Sequence, residues 1–342
     1  MISLYNIPEE ILFYKICYYD YETAILFSML CKKFNKISKG YGGDKRNSKN
    51  YFLECISNKE ETYYVDRNTG IKNGKYIQTK EYILSKYQRI KVKSCKYLNN
   101  KLHGSYKTWT TYGNKIIDAF YKHDKLHGVY MEYCYNKLNI KCNYNNGILH
   151  GKYEKLYSNG NKRETCNYYN GILDGNYEEF HSNGNIEIKC YYNNGILHGP
   201  YQSNQYDGTI ELQCEYNNGL LHGSYYIMNK YRNISKYIVK CEYDNGILHG
   251  PYQSYHKTLG LYIDCSYTMG LLHGKYIKYY NNGNKWIECN YNNGMLEGEY
   301  KQWEQHKQLQ SHCIYQNNII KEYCVLDTNM NLDLSGIDSL WN

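Results

Sequence analysis

The chain has 342 residues, enough for one large domain or two, and its aromatic content is almost all tyrosine: 46 Tyr against 6 Phe and 4 Trp. Three prolines and 28 glycines exclude a collagen-like or low-complexity chain, and fourteen cysteines without one C-x-x-C pair exclude the usual zinc and redox motifs. The net charge of +8 is uneven: residues 41–100 carry thirteen Lys/Arg against six acids, whereas 101–342 hold 23 of each, which argues against a nucleic-acid surface and against lipid as a partner of the longer part.

The N-terminus, MISLYNIPEE, has two acids where a secretory signal needs a basic start and an apolar stretch, and no apolar run approaches the ~18 residues of a membrane span. An intracellular, cytoplasmic protein is expected. Ile7-Pro8-Glu9-Glu10 then opens a helical pattern, with Pro and two acids suiting a helix N-terminus and with Ile11, Leu12, Ile16 and Cys17 apolar. Asp20 marks a break. A second amphipathic stretch, Glu22 to Ser38, carries Ile25, Leu26, Met29, Leu30, Lys33 and Phe34. Two helices of this size bury little area alone, so their apolar faces pack on the rest of the chain or on a partner.

The string NIPEEILFYKICYYDYETAILFSMLCKKFNKIS resembles the F-box: Ile7-Pro8-Glu9-Glu10 matches its L-P-x-E opening, Asp20 its acidic break, and Leu30-Cys31-Lys32-Lys33-Phe34 its closing element. Tyr19 stands where the family prefers Leu, and Phe34 replaces the commoner Trp. The resemblance implies docking onto the Skp-type adaptor of a cullin–RING ubiquitin ligase. Ile7, Pro8, Ile11, Leu12, Ile16, Leu26, Leu30 and Phe34 would then bury against that adaptor. The plainer reading of the same residues is a helical cap over the unpaired first strand of whatever follows.

Residues 1–40 are thus expected as a helical motif and 41–64, beginning within GYGGDKRNSKN, as a basic linker. From 65 to 325 the chain repeats. L-H-G-x-Y or a near variant recurs with glycine at 104, 128, 151, 175, 199, 223, 250, 274 and 298, and a weaker copy has Gly74 and Tyr76. Seven residues before each strong glycine stands a Tyr and nine before a Cys, Ala119 being the one replacement. One further period leads to Cys313 and Tyr315, after which the pattern decays as a terminal repeat does.

Turn signals midway through the units, such as SNGN at 158–161 and NNGN at 281–284, mark hairpins, and Asn-Gly favours a type I′ turn. Centring on Asn159-Gly160 pairs Tyr153 with Cys166 and Gly151 with Tyr168. Turns at Tyr112-Gly113, Asn183-Gly184, Asp207-Gly208 and Asn282-Gly283 give the same register independently. Gly, Tyr and Cys then share one face, each tyrosine lying across a strand glycine, while Lys152, Glu154, Arg163, Thr165 and Asn167 face water. A two-strand advance of roughly 9–10 Å per unit separates successive cysteines too far for disulfides and successive L-H-G histidines too far for a shared metal. The cysteines read as small buried apolar residues and the histidines, replaced by Asp174 and Glu297 in two units, as turn-stabilising groups.

The expected fold is mainly β, an elongated array of about ten stacked antiparallel β-hairpins behind a small α-helical N-terminal domain. The pattern Y-x-N-G-x-L-H-G-x-Y-x-x-x-Y-x-x-G, as in Tyr144 through Gly160, resembles the MORN repeat in its longer variant. That resemblance implies a scaffold or a binding surface for proteins or lipids. With an F-box-like motif ahead of it, the implied function is non-enzymatic: substrate recruitment to an SCF-type ligase, the repeats holding a target protein. The alternative is a MORN-repeat scaffold, or a membrane-associated interaction protein, with no ubiquitin role. No catalytic residue, cofactor or metal is assigned, because no G-x-S-x-G, P-loop, Rossmann fingerprint or H-E-x-x-H occurs. Trp109, Trp286 and Trp303 are the large aromatics to test as target anchors. The tail, 326–342, is acidic and outside the repeat. Heavy use of Asn, Lys, Ile and Tyr resembles proteins of giant amoeba-infecting viruses.

Overall fold

A computed structural model describes residues 7–326 except 17–20, 31, 43, 46–50, 83–84, 232–233 and 257–259. The expected break at Asp20, Cys17, Tyr19, Cys31 and all but the first residue of the tail lie outside the described residues. The chain divides into two compact units, Met1–Ile172 and Leu173–Asn342.

The structure is mainly β, built as consecutive antiparallel hairpins with a small helical region at the N-terminus. Pro8 precedes a helical turn, Glu9–Ile11, whose acidic first residues lie toward the positive end of the helix. It continues as a π-helical turn, Leu12–Ile16, and two further helices span Tyr21–Leu30 and Lys32–Ile37. Leu12, Phe13, Ala24, Phe27, Phe34 and Ile37 form one core with Phe52 and Leu53, and Tyr64 packs against it. The rings of Phe27 and Phe34 lie 4.6 Å apart. Tyr21 closes the junction, since a Cβ on Gly74 would lie 3.6 Å from its hydroxyl and 3.4 Å from Leu53 Cδ1. The helices therefore dock on the first strands of the array.

A short ladder pairs Gly40–Tyr41 with Asp44–Lys45, and the strands of the array itself begin twelve residues earlier than the repeat implied. Leu53–Ser57 and Glu61–Asp66 pair with each other, and the second pairs onward with Gly74–Tyr82, so the C-terminal part of the expected linker is sheet. These strands lack the repeat's glycine, although Cys55 pairs with Tyr64 as the later cysteines pair with tyrosines. Phe52 and Leu53 supply the apolar surface on which the helices sit.

Register follows the expectation in each hairpin. Gly151 pairs with Tyr168 and Tyr153 with Cys166; Gly175 with Tyr192 and Tyr177 with Cys190; Tyr201 with Cys214; Tyr276 with Cys289; Tyr106 with Ala119. The weak first copy obeys it too, with Gly74 opposite Tyr97 and Tyr76 opposite Cys95. The turn type is different. At 157–161 the Gly160 N–H donates to Tyr157 O at 2.9 Å and the Tyr157 N–H to Asn161 O at 2.8 Å, and Gly160 has φ +93° while Asn159 is not left-handed. This is a type I turn with a left-handed glycine, and it brings a one-residue bulge: Lys155 faces Glu164, but Leu156 faces Lys162. Two left-handed residues in succession, the mark of type I′, occur instead in the turns joining one hairpin to the next, as at Asn146 (φ +50°) and Gly147 (φ +90°).

Candidate functional site

The helix Tyr21–Leu30 is mostly apolar, with Glu22, Thr23 and Ser28 as its polar residues besides the Tyr21 hydroxyl. Tyr21, Ala24 and Phe27, at a spacing of three, turn into the core shared with Phe52 and Leu53. Leu26, Met29 and Leu30, at a spacing of three and four, are 57, 74 and 58% exposed. Ile11 adds an exposed side chain from the preceding turn, at 46%. Lys33 Nζ and a Glu9 carboxylate oxygen, 3.4 Å apart, link the two helical stretches at the surface.

The eight residues expected to meet an adaptor therefore separate. Ile11, Leu26 and Leu30 are exposed, and so is Pro8. Leu12 and Phe34 are buried in the chain's own core, and Ile7 and Ile16 pack against it, partly buried. Placing Leu12 and Phe34 on a partner is corrected: strands 53–66 give the helices an internal surface that the sequence pattern did not reveal. Met29, 74% exposed, belongs to the open face and was not among the expected contacts.

Within each unit of the array, the Gly/Tyr/Cys face forms a packing stripe. Tyrosine pairs recur edge to face, Tyr153 with Tyr168 at 5.9 Å and Tyr276 with Tyr291 at 5.8 Å. Cys95, Cys142, Cys166, Cys190, Cys214, Cys241, Cys265, Cys289 and Cys313 are buried and unbridged. Burial pushes the thiol of Cys142 up to about 11 and that of Cys166 to about 12, the second helped by the Glu164 carboxylate. Burial likewise raises the hydroxyls of Tyr130 and Tyr168 to about 12. These groups keep their protons at neutral pH, and a protonated thiol is a poor nucleophile.

The L-H-G histidines have a structural task. Nδ1 of His127, His150, His198, His222, His249 and His273 accepts the backbone N–H of the first residue of the next inter-hairpin turn, at 3.4–3.5 Å. Where the histidine is replaced, a carboxylate takes over the same N–H: Asp174 for Asn194 at 3.2 Å and Glu297 for Asn317 at 2.9 Å. At His222 the carboxylate of Asp244 also lies 3.3 Å from Nδ1. Among the described residues no group of three or more His, Cys, Asp or Glu is arranged to hold a metal ion.

The tryptophans sit at the bulges. Trp109 and Trp303 occupy the same place, five residues after their unit's glycine, and Trp286 is the extra residue of its own bulge. Lysine ammonium groups lie over all three rings, Lys91 over Trp109 at 4.5 Å, Lys278 over Trp286 at 4.2 Å and Lys285 over Trp303 at 6.0 Å. Trp286 also stacks on Tyr280, 5.2 Å away, whose hydroxyl donates to Trp303 O at 2.8 Å. All three are half-buried. In the strong copies, positions equivalent to Trp109 and Trp303 hold Tyr133, Leu156, Phe180, Met228, Tyr255 and Tyr279, with Asn204 the exception, so a bulky side chain is usual at this point in the unit.

No helix among the described residues is long and apolar enough to cross a membrane. No protein-family model matches the chain, and comparison with curated proteins finds no match.

Proposed function

We propose that the chain is a non-enzymatic substrate-recruiting subunit of an SCF-type cullin–RING ubiquitin ligase, its F-box-like helices docking on a Skp-type adaptor and its MORN-type repeats holding a target protein. The observation that supports this reading is the open helix face of Leu26, Met29 and Leu30 beside Ile11, apolar side chains left to water by a helix whose opposite face is fully packed. An adaptor groove covering them would bury three side chains at helical spacing, the usual anchor pattern of helix-in-groove recognition. The chain's contribution would be proximity, holding the target near ubiquitin carried by another subunit.

The test is capture of the purified Skp-type adaptor by wild type and by a Leu26→Asp, Leu30→Asp pair, both checked by circular dichroism. Binding by wild type and its loss in the folded variant is the expected result. A second reading, a MORN-type scaffold with a helical cap and no ubiquitin role, is supported by the docking of Leu12, Phe13 and Phe27 on Phe52 and Leu53. Absence of adaptor binding by folded wild type would favour it.

A further inference from the structure

Within the unit Leu173–Asn342, the edge built by the inter-hairpin turns carries one exposed aliphatic side chain per repeat: Ile196, Leu220, Ile247, Leu271, Met295 and Ile319, 37 to 61% exposed. Each follows its turn directly and pairs across it, as Ile196 does with Asn193 and Leu220 with Asn217. Four of them also lie over the glycine of the next turn. A Cβ on Gly219 would be 3.3 Å from Ile196 Cγ2, on Gly246 3.6 Å from Leu220 Cδ2, on Gly270 3.2 Å from Ile247 Cγ2, and on Gly294 3.5 Å from Leu271 Cδ2. The six side chains are thereby fixed in a row that advances two strands per step, ~9.6 Å, or ~48 Å over its length.

The turn segments of the strip are mostly uncharged. They read NNGIL, NNGLL, DNGIL, TMGLL, NNGML and QNNII, with Asp244 beside His222, and the carboxylates of Asp174 and Glu297 accept the turn N–H groups of Asn194 and Asn317. An aliphatic is not obligatory here: in the unit Met1–Ile172 the position after the turn holds Lys101 and Lys125 as well as Ile148 and Ile172. Contact with the next turn's glycine uses one side of the aliphatic and leaves the other exposed.

We infer that this row is a self-association surface, on which a second copy of the chain lies antiparallel about a two-fold axis between Ile247 and Leu271. A two-fold interface sets each patch against itself, so the aliphatic row meets an identical aliphatic row. Its spacing repeats in register with an identical strip along the whole row, whereas a heptad helix, at ~10.5 Å per repeat, drifts ~4 Å out of phase over five steps. A strip of ~48 Å by ~10 Å buries on the order of 1,000 Å² over two copies, the lower bound for a specific interface, which makes the dimer reversible. The surface belongs to the repeats and is independent of the helix face used above.

Sedimentation of the full chain between roughly 1 and 100 μM, the range an interface of this size brackets, tests it. Wild type is expected to pass from monomer to dimer. An Ile247→Lys, Leu271→Lys pair, which installs the residue found at Lys125, should stay monomeric with an unchanged circular dichroism spectrum; if that pair unfolds, an Ile247→Ser, Leu271→Ser pair replaces it. The Leu26→Asp, Leu30→Asp variant should dimerise as wild type does. A monomeric wild type overturns self-association and assigns the row to a foreign partner. A dimer that survives both ridge pairs, or that is lost only in the helix-face variant, overturns it equally.

Discussion

The imidazole of His198 holds the turn of the following hairpin: its Nδ1 lies 3.4 Å from the backbone nitrogen of Asn218, twenty residues on. The bond needs an unprotonated Nδ1, so the ring proton belongs on Nε2. His198→Ala leaves the turn N–H to water and should cost about 0.5–1.5 kcal/mol, whereas His198→Glu, copying Glu297, should retain most of it. Thermal unfolding of the two variants compares them directly.

The buried thiols set an alkaline limit to stability. The folded-state thiols of Cys142 and Cys166 are raised to about 11 and 12 by burial, above their unfolded range near ~8.5. A raised acid keeps its stabilising contribution below the unfolded value and loses it as pH climbs toward the folded one. Stability should therefore decline from about pH 9 upward. At neutral pH, peptide mapping after a short alkylation should find Cys55 and Cys134 labelled first, because both are exposed, while Cys142 and Cys166 stay unmodified.

Leu12 and Leu26 are predicted to differ sharply. Leu12 is fully buried in the core with Phe52 and Leu53, so Leu12→Ala should cost about 2–5 kcal/mol of the helical region's stability. Leu26→Ala, at an exposed position, should stay within about 0.5 kcal/mol. Hydrogen exchange of the helices, read separately from the array, distinguishes the two.

Gly171 and Gly160 both have φ near +90°, but their surroundings differ. A Cβ at Gly171 meets Ile148 Cγ2 at 3.0 Å, whereas none of the neighbours of Gly160 comes within 4 Å. Each alanine pays the left-handed strain of ~1–2 kcal/mol, and Gly171→Ala should lose more than Gly160→Ala. Adding Ile148→Ala should bring the two closer, as a double-mutant cycle would register.

The register was legible because Gly, Tyr and Cys recur at fixed offsets from glycine-bearing turns, and a parity that fixes one pair fixes the hairpin. The turn type was misread because Asn-Gly fits both a type I′ loop and the end of a type I turn, and only φ at Asn159 tells them apart. The start of the sheet was hidden because Leu53–Ser57 is an edge strand without the repeat's glycine. The helical site was half legible: the apolar residues were all visible, but which of them face inward depends on Phe52 and Leu53, forty residues from Leu12. The aliphatic row escaped notice for the converse reason, since its residues stand next to turn signals and look like ordinary strand starts.

The bulge that follows the fourth residue of each unit separates two jobs within one hairpin. Glycine-to-glycine steps of 23, 24 and 27 residues occur, yet the pairs Tyr130–Cys142, Tyr153–Cys166 and Tyr225–Cys241 keep the same relation. The differences are all absorbed beyond the bulge, by a two-residue loop at Tyr135-Asn136 and by longer strands running to Tyr231 and Ile234. The outer loop is thus where length varies, although it still touches its neighbours: Lys137 Nζ donates to Ser158 O at 2.8 Å, and Asn183 Nδ2 to Tyr206 O at 2.7 Å. A foreign peptide grafted in place of Ser158–Asn161 should therefore leave the Tyr153–Cys166 pairing in place while removing the bond from Lys137, so the chain can vary its loops along that edge while its interior repeats unchanged.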